Sequence, residues 1–361
     1  MTHRSLAPVV ALLAALVAIP TRAGSAELDA DLREKAQHAV DAGIHYLRGT
    51  QAEDGSWSKS VGVTAIALRG FLESYRHYSE ADGAFVTRPI AFILKHVQKD
   101  GSISETKQNA AYNTATALVA LEATRNKKYA ETIRKGQQFL ARHQTDEGEG
   151  YKPTHAYYGG IGYGGDERPD LSNSYMALEA LRATAYDPKS AVWKKALKFV
   201  SRCQNRSESN DQAWTANDGG FTYMPGYSPH GGTGSYGGMT HAGLTSLLFA
   251  GVDKNDPRVQ AAYDWIRAHY TLDENPGAKD KSGLYYYYTV FAQSMTAFGM
   301  PNVKTTDGTE HDWRQEFIRK IVSLQDKDDG WWVNPDSPRW WEGDKNLTTA
   351  RMVVALNLAS R

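Results

Sequence analysis

A turn rich in glutamine, aspartate and glycine returns along the chain, and this repetition constrains the fold more than any other feature of the sequence. Clear copies lie at 51–57 and 325–332, and weaker copies at 98–102, 144–148 and 218–221. Each copy follows a stretch with apolar residues at helical spacing, for example Ala36, Val40, Ile44 and Leu47. Such a period indicates helical hairpins that stack on one another.

A second phrase follows each turn and begins with a hydroxyl residue, with alanine or glycine three positions later in every copy except the last. The hydroxyl residues are Thr64, Thr114, Ser174, Thr240, Thr289 and Thr349. The residues beyond them are apolar on all sides, as in a fully buried helix. Six units of outer helix, turn and inner helix predict an all-α fold, a closed α6/α6 toroid. The alternative, an open solenoid, would need polar capping repeats at both ends, and 349–358 is a poor cap.

The first residues predict an export signal. Arg4 precedes an apolar run over 6–19, and small residues follow at 23–26. The alternative is an uncleaved anchor, but a run of about 14 residues is short for a membrane span, which needs about 20. We therefore expect a signal peptide over 1–23, cleavage between 23 and 26, and one toroid domain over 27–361. No cysteine lies in the cleavage region directly after the run, so the protein is predicted to be secreted or periplasmic and not a lipoprotein.

The composition argues against several functional classes. The 41 Lys and Arg residues balance 41 Asp and Glu residues, which is not the charge of a nucleic-acid-binding protein. The single Cys203 allows neither an internal disulfide nor a cysteine-rich zinc site. The histidines have no convincing ligand spacing, and no segment after the leader could cross a membrane. We expect neither a metal nor a cofactor.

The repeated turns resemble those of squalene cyclases and related terpenoid cyclases, and the toroid plan is shared with protein prenyltransferase β-subunits. Phrases at 234–240, 284–288 and 339–342 are similar to those of secreted bacterial prenyltransferase/squalene-oxidase repeat proteins. The resemblance covers nearly all of the chain after the leader. It implies a central cavity that binds or processes an apolar isoprenoid or lipid.

The acid motif of protonation-initiated cyclases, Asp-x-Asp-Asp-Thr-Ala, is incomplete at the predicted inner-helix starts. The stretch 170–174 comes nearest, but it keeps only the first aspartate, Asp170. The stretch 326–329 matches Asp-x-Asp-Asp inside a repeat turn, where a structural role is expected. A zinc-dependent protein prenyltransferase is excluded, because Cys203 lies on a predicted outer helix without the aspartate that its metal site needs.

Residues near the inner-helix starts predict a polar and aromatic ring at the cavity mouth. The candidate catalytic residues are Asp170, as an acid, and His241, whose ordinary pKa lies near physiological pH. Three structural alternatives stay open: Asp170 caps its helix, His241 is a packing residue, and the loop residues Trp340, Trp341 and Glu342 pack across the repeat closure. The candidate substrate-binding residues are Tyr112, Tyr236, Tyr285, Tyr287, Trp340 and Glu342. At most two tyrosines of the run 285–288 can face the cavity.

Three functions are compatible with these residues. The first is an isoprenoid- or lipid-handling toroid, including a cyclase-like isomerase with a relocated acid; the second is a non-catalytic binding or scaffold toroid; the third, weaker, is a toroidal polysaccharide lyase. The cavity lining separates them. Aromatic walls with one buried acid favour the first, a centre filled by side chains favours the second, and an open groove of arginine, tryptophan and carboxylates favours the third.

Overall fold

Twelve α-helices form the part of the chain described by the computed structural model, residues 28–164 and 168–361. The outer helices are α1 (Ala30–Thr50), α3 (Ala84–Lys95), α5 (Ala130–Arg142), α7 (Ala191–Cys203), α9 (Pro257–Ala268) and α11 (Trp313–Ser323). The inner helices are α2 (Val61–Leu72), α4 (Ala110–Ala123), α6 (Leu171–Ala183), α8 (Gly237–Phe249), α10 (Leu284–Phe298) and α12 (Lys345–Ala359). Short 3₁₀ helices and an antiparallel pair of strands, β1 (Val303–Lys304) and β2 (Glu310–His311), lie in the connections.

The six inner helices close a ring. Each packs on the next, and α12 packs back on α2. The inner helices are buried on nearly all sides, whereas an outer helix such as α5 buries one face, Ile133, Gly136, Phe139 and Leu140. The core therefore lies between two concentric layers of helices. The predicted closed α6/α6 toroid is confirmed, and the open-solenoid alternative is wrong.

The repeated turn attaches each hairpin to the next outer helix. Gln325 Nε2 donates one hydrogen bond to the carbonyl of Gly330, within its own turn, and another to the carbonyl of Ala39 on α1. Gly330 has φ +79°, and a Cβ on it would lie 2.8 Å from the Ala42 carbonyl oxygen. The turn needs glycine both for its left-handed backbone and for this close approach, which explains why the phrase recurs.

Long insertions hide the same turn in two repeats. Gln144 Nε2 donates to the carbonyls of Gly159 and Val192, and Gln204 Nε2 donates to the carbonyls of Gly219 and Arg258. The prediction that the third turn ends at residue 148 was therefore wrong. Its glycine is Gly159, and the intervening residues form an inserted loop.

Inner-helix hydroxyls hold the turns in five of the six repeats. The backbone N–H of Trp332 donates to Thr349 Oγ1 at 3.0 Å, and that of Trp57 donates to Thr64 Oγ1 at 3.0 Å. Thr114, Ser174 and Thr240 accept corresponding bonds. In the fifth repeat, Thr289 instead faces the ring axis, and Tyr288 donates its hydroxyl to the Leu272 carbonyl at 2.7 Å. The predicted register of this repeat was therefore one residue too late.

The predicted signal peptide, 1–23, and its cleavage region lie outside the described residues. Within the described ranges, no helix is both long enough and apolar enough to cross a membrane.

Candidate functional site

The ring encloses a narrow cavity on its axis, with a volume of about 50 Å³. Side chains from α2, α4, α6, α10 and α12 line it, among them Ile66, Thr116, Met176, Tyr286, Arg351 and Val354. Pockets for small molecules usually measure about 300–1,000 Å³. The centre of this ring is therefore largely filled by its own side chains.

The two ends of the ring differ in chemistry. At the end where the inner helices begin lie Tyr112, Tyr163, Tyr223, Tyr236 and Tyr286, and we call this the tyrosine end. At the other end, Arg69 binds Glu179 at 2.8 Å and Glu73 at 3.1 Å. We call this the ion-pair end.

Asp170 is the buried acid of the tyrosine end. It caps α6, where its carboxylate accepts hydrogen bonds from the backbone N–H (2.8 Å) and the side-chain amide (2.7 Å) of Asn173. The Tyr223 hydroxyl is a third partner. Burial raises the pKa of Asp170 to about 7, although all of these donors favour the carboxylate. The predicted helix cap is confirmed, and the same residue can take up a proton near neutral pH.

The tyrosines beside Asp170 come partly from loops. The carbonyl of Tyr163 accepts from the N–H of Ala111 at the start of α4, and the carbonyl of Tyr223 accepts from the N–H of Leu171 at the start of α6. Burial, with the charge of Asp170, raises the pKa of Tyr163 to about 12. The sequence analysis missed both tyrosines, since they lie in non-periodic loops. The one sequence feature that could have identified them is their position next to glycine-rich stretches.

Tyr112 and Tyr236 lie at the tyrosine end, and substrate binding by these two residues stays a prediction. Tyr112 is half-buried, and its ring lies 6.1 Å from that of Tyr163. Tyr236 is buried and packs edge-on against His230, with ring centroids 4.6 Å apart.

His241 is placed in the α8–α10 interface. It is fully buried, its Nδ1 contacts the Ser294 hydroxyl, and its ring packs 5.0 Å from Phe291. Burial lowers the pKa of His241 to about 3, so the ring is neutral at physiological pH. Within the described ranges His241 neither lines the axial cavity nor shares a hydrogen bond with Asp170. The two predicted catalytic residues are not brought together.

Tyr285 and Tyr287 do not face the axial cavity, contrary to expectation. Tyr287 donates its hydroxyl to the Thr271 carbonyl at 2.7 Å, and Tyr285 is buried against Tyr288. Tyr286 lines the cavity instead, with its hydroxyl 2.9 Å from Ser172 Oγ. The physical reason is the register of α10: a shift of one residue turns a helical side chain by about 100°.

Glu342 attaches the last long loop to α10. Its Oε1 accepts from the backbone N–H of Tyr286 and its Oε2 accepts from Asn334 Nδ2, both at 2.7 Å. The carboxylate is fully buried, and burial raises its pKa. Gly283 supplies no side-chain cap to α10, so Glu342 satisfies that helix start. The geometry gives Glu342 a positioning role in the loop; ligand contact by Glu342 stays a prediction.

Two tryptophans are exposed on that loop. Trp340 and Trp341 have exposed fractions of 42% and 60%, and φ values of +54° and +65°. A left-handed backbone costs a bulky residue about 1–2 kcal/mol. Trp340 lies over Gly283 and 5.7 Å from His230, next to the start of α10. Two adjacent residues in this conformation present a large aromatic surface to solvent at the tyrosine end.

At the ion-pair end, a second pocket of about 320 Å³ adjoins the axial cavity. Arg69, Glu179 and Gln293 line both spaces. The Arg69–Glu179 pair therefore separates the axis from the pocket.

The aspartates at 326–329 belong to a turn on the outside of the ring. Asp326 Oδ1 accepts from the N–H groups of Asp328 and Asp329, and the turn lines a surface groove of about 810 Å³ together with α1. Across residues 28–164 and 168–361, no cluster of three histidine, cysteine or acidic side chains could hold a metal ion.

Comparisons with known proteins agree on the fold. The model of the prenyltransferase alpha-alpha toroid domain matches residues 4–155 and 84–225. A type II terpene cyclase from Scytonema, solved with merosterolic acid A, has a TM-score of 0.55 at 13% identity, covering 91% of this chain and 98% of that one. Protein geranylgeranyltransferase-I of Candida albicans, solved with GGPP, has a TM-score of 0.53 at 16% identity, covering 91% of each chain.

A protein from Actinoplanes is similar as well, with a TM-score of 0.54 at 16% identity, covering 90% of this chain and 100% of that one. No curated protein sequence matches the chain. Identities this low establish the shared toroid fold, and the chemistry has to be argued from the residues of this chain.

Proposed function

Because the chain belongs to the family of prenyltransferase alpha-alpha toroid domains, we propose that it binds an isoprenoid or lipid molecule at the tyrosine end of its ring. The observation that carries this proposal is the contrast between a filled axis and an aromatic rim. The axial cavity of about 50 Å³ cannot enclose a long apolar chain, whereas Trp340 and Trp341 expose their rings at the tyrosine end.

Similar proteins support the ligand class. The Scytonema cyclase has been solved with geranylgeranyl dihydroxybenzoate, and the Candida transferase with GGPP. Both ligands carry an isoprenoid chain in a toroid of the same fold. The exposed aromatic surface at the tyrosine end offers such a chain a large apolar contact area.

Binding without cyclisation fits the centre of the ring better than catalysis does. Carbocation chemistry needs a dry, enclosed site around the whole reacting chain, and side chains fill this axis. The polysaccharide-lyase alternative gains no support, since the axial cavity is not an open groove of arginine, tryptophan and carboxylates.

One observation favours a second candidate, a cyclase-like isomerase. Burial holds the pKa of Asp170 at about 7, beside Tyr163 and Tyr223. A protonated carboxyl in an aromatic surrounding is a possible proton donor. Conversion of a bound isoprenoid by the native protein, lost in Asp170→Asn, would establish this candidate.

The experiment for the binding proposal titrates the protein with dansylated geranylgeraniol and follows energy transfer from tryptophan. The double variant Trp340→Ala/Trp341→Ala is expected to bind at least about tenfold more weakly, because loss of two aromatic contacts removes more than about 1.4 kcal/mol. Met300→Ala, which removes an exposed apolar side chain at the opposite end of the ring, is the control. Because the tryptophans are also the donors, affinities are confirmed by calorimetry. Absence of binding, or equal losses in both variants, would contradict the proposal.

A further inference from the structure

We propose that the ligand carries an anionic head group, a carboxylate or a phosphate, and that Arg351 binds this group on the ring axis. The inference rests on the proposed function, because it names the head group of the same ligand. It starts from Arg351 in the lining of the axial cavity, whose Nη1 has no hydrogen-bond partner within residues 28–164 and 168–361.

Among the residues that the structure describes, three charged side chains line the axial cavity: Arg69, Glu179 and Arg351. Arg69 and Glu179 neutralise each other at 2.8 Å. The remaining charge of the lining is therefore the positive charge of Arg351. An oxyanion entering this cavity meets a guanidinium that the other lining residues do not neutralise.

Arg351 is buried, with an exposed fraction of 8%. Among the described residues, its Nη1 has no hydrogen-bond partner although it is shielded from solvent. A buried charged donor without a partner is unfavourable. The folded protein thus keeps an unsatisfied buried donor on a side chain that lines the axial cavity, and an acceptor bound beside this side chain would satisfy it.

Two buried carboxylates of the tyrosine end, Glu342 and Asp170, have other hydrogen-bond partners. Arg351 acts through space on the carboxylate of Glu342, but the two oxygens of Glu342 bind Tyr286 N–H and Asn334. The oxygens of Asp170 bind Asn173. Neither carboxylate supplies Nη1 with an acceptor.

Tyr286 completes the proposed site. Its ring lies 5.5 Å from the guanidinium carbon of Arg351, in a cation–π contact that orients the side chain. Its hydroxyl accepts a hydrogen bond from Ser172 Oγ, so its own proton remains free to donate. Burial raises the pKa of Tyr286, which keeps this hydroxyl protonated. Arginine and tyrosine together provide the charge and the donors that a carboxylate or phosphate requires.

The size of the cavity sets the orientation of the ligand. About 50 Å³ admits a head group with little else. An attached apolar chain must therefore leave the axis, and the exposed rings of Trp340 and Trp341 lie at the tyrosine end. Head-group and chain contacts are thus separable by mutation.

The test compares ligands with one ten-carbon chain and different heads: geraniol, geranic acid and geranyl phosphate. Calorimetric titration at pH 8 is expected to show at least one anionic ligand binding about tenfold or more tightly than geraniol. Arg351→Gln should remove this preference and leave geraniol binding unchanged. The acid and phosphate arms show which head group the site accepts.

Three further variants test whether the preference depends on the charge of Arg351 and on the Tyr286 hydroxyl. Arg351→Lys keeps the charge and should retain part of the preference, and Tyr286→Phe keeps the ring and should reduce it. Both remain informative if Arg351→Gln does not fold, as judged by circular dichroism. Arg182→Gln, which removes an arginine from the pocket at the ion-pair end, should leave the preference intact.

The outcomes separate this inference from the proposed function. If geraniol binds as tightly as both anions, or if Arg351→Gln retains the preference, the anion site is refuted and isoprenoid binding stands. If none of the three isoprenoids binds, but acetate or inorganic phosphate binds in an Arg351-dependent manner, the anion site stands and the proposed ligand class is wrong. If nothing binds, both are refuted.

Discussion

The tyrosine end and the ion-pair end are built from the same twelve helices but carry opposite chemistry. The long connections 143–170, 204–236 and 269–283 all enter inner helices, so they gather at the tyrosine end. There they bring aromatic side chains and Asp170 together, while the ion-pair end closes the axis with Arg69, Glu73 and Glu179. One end of the ring is a scaffold, and the other is where the long connecting loops can build a site.

The tyrosine end should lose stability as the pH rises, and Asp170 gives the largest expected effect of all the predictions. Its folded pKa of about 7 lies above the usual 3.8, so the folded protein binds this proton more tightly than the unfolded chain does. Stability from this group is complete below the unfolded pKa and is lost as the pH rises through about 7. The free energy of unfolding should fall by up to about 1.4 kcal/mol per pH unit between pH 4 and 7.

Urea unfolding of the native protein and of Asp170→Asn at several pH values measures this effect. The difference between the two proteins should change over that range and level off above pH 7. Asp336→Asn, in an exposed loop of the same end, serves as the control. A constant difference would show that Asp170 is charged throughout and that burial does not control its pKa.

At the ion-pair end, Glu179→Ala should be strongly destabilising. It leaves Arg69 buried with Glu73 as its remaining carboxylate, and loss of one partner from a buried pair costs about 3 kcal/mol. Glu131→Ala removes a pair with Arg134 in which both side chains are more than half exposed, and should cost less than about 1 kcal/mol. Urea unfolding at pH 7 compares them. Equal effects would mean that burial does not make the Arg69–Glu179 pair more important for stability than an exposed pair.

The ring itself was predictable because its signal is periodic. The apolar spacing, the turn glycines and the hydroxyl residues all recur from repeat to repeat. The hydroxyl residues recur because they accept hydrogen bonds from the turns, as Thr349 does from the Trp332 N–H. The errors came where the period breaks. The insertion between Gln144 and Gly159 led to a wrong end for the third turn. The one-residue error in register at Tyr288 led to Tyr285 and Tyr287 being predicted to face the cavity in place of Tyr286.

The candidate site was less predictable, because its key properties are tertiary. Tyr163 and Tyr223 reach Asp170 from loops without periodicity. Nothing in the sequence around Arg351 indicates that its Nη1 lacks a partner, since this depends on the bonds that Glu342 and Asp170 make with other residues. Burial, likewise, is what separates the pKa of Asp170 from that of an exposed aspartate.

Glu342→Ala should weaken the tyrosine end by an intermediate amount. It leaves the buried N–H of Tyr286 and the amide of Asn334 without their acceptor, at a cost of about 2 kcal/mol. Because the same bonds fix the loop that carries Trp340, binding of the isoprenoid probe should weaken as well. Asp336→Ala removes an exposed ion pair between Asp336 of that loop and Lys281. It should change neither the free energy of unfolding nor the affinity for the probe. A stable variant with normal binding would show that the loop is held by other contacts.

The smallest effect on stability is expected at Trp341. This variant separates a role in ligand binding at the tyrosine end from a role in holding the fold together. Trp341→Asn places a residue that tolerates φ > 0 at an exposed position with φ +65°. The free energy of unfolding should change by less than about 0.5 kcal/mol, while affinity for the dansylated geranylgeraniol falls several-fold. Met300→Ala, an exposed substitution near the ion-pair end, should alter neither. A marked loss of stability without a loss of affinity would mean that Trp341 is a packing residue, and that the strained backbone serves the fold instead of the ligand.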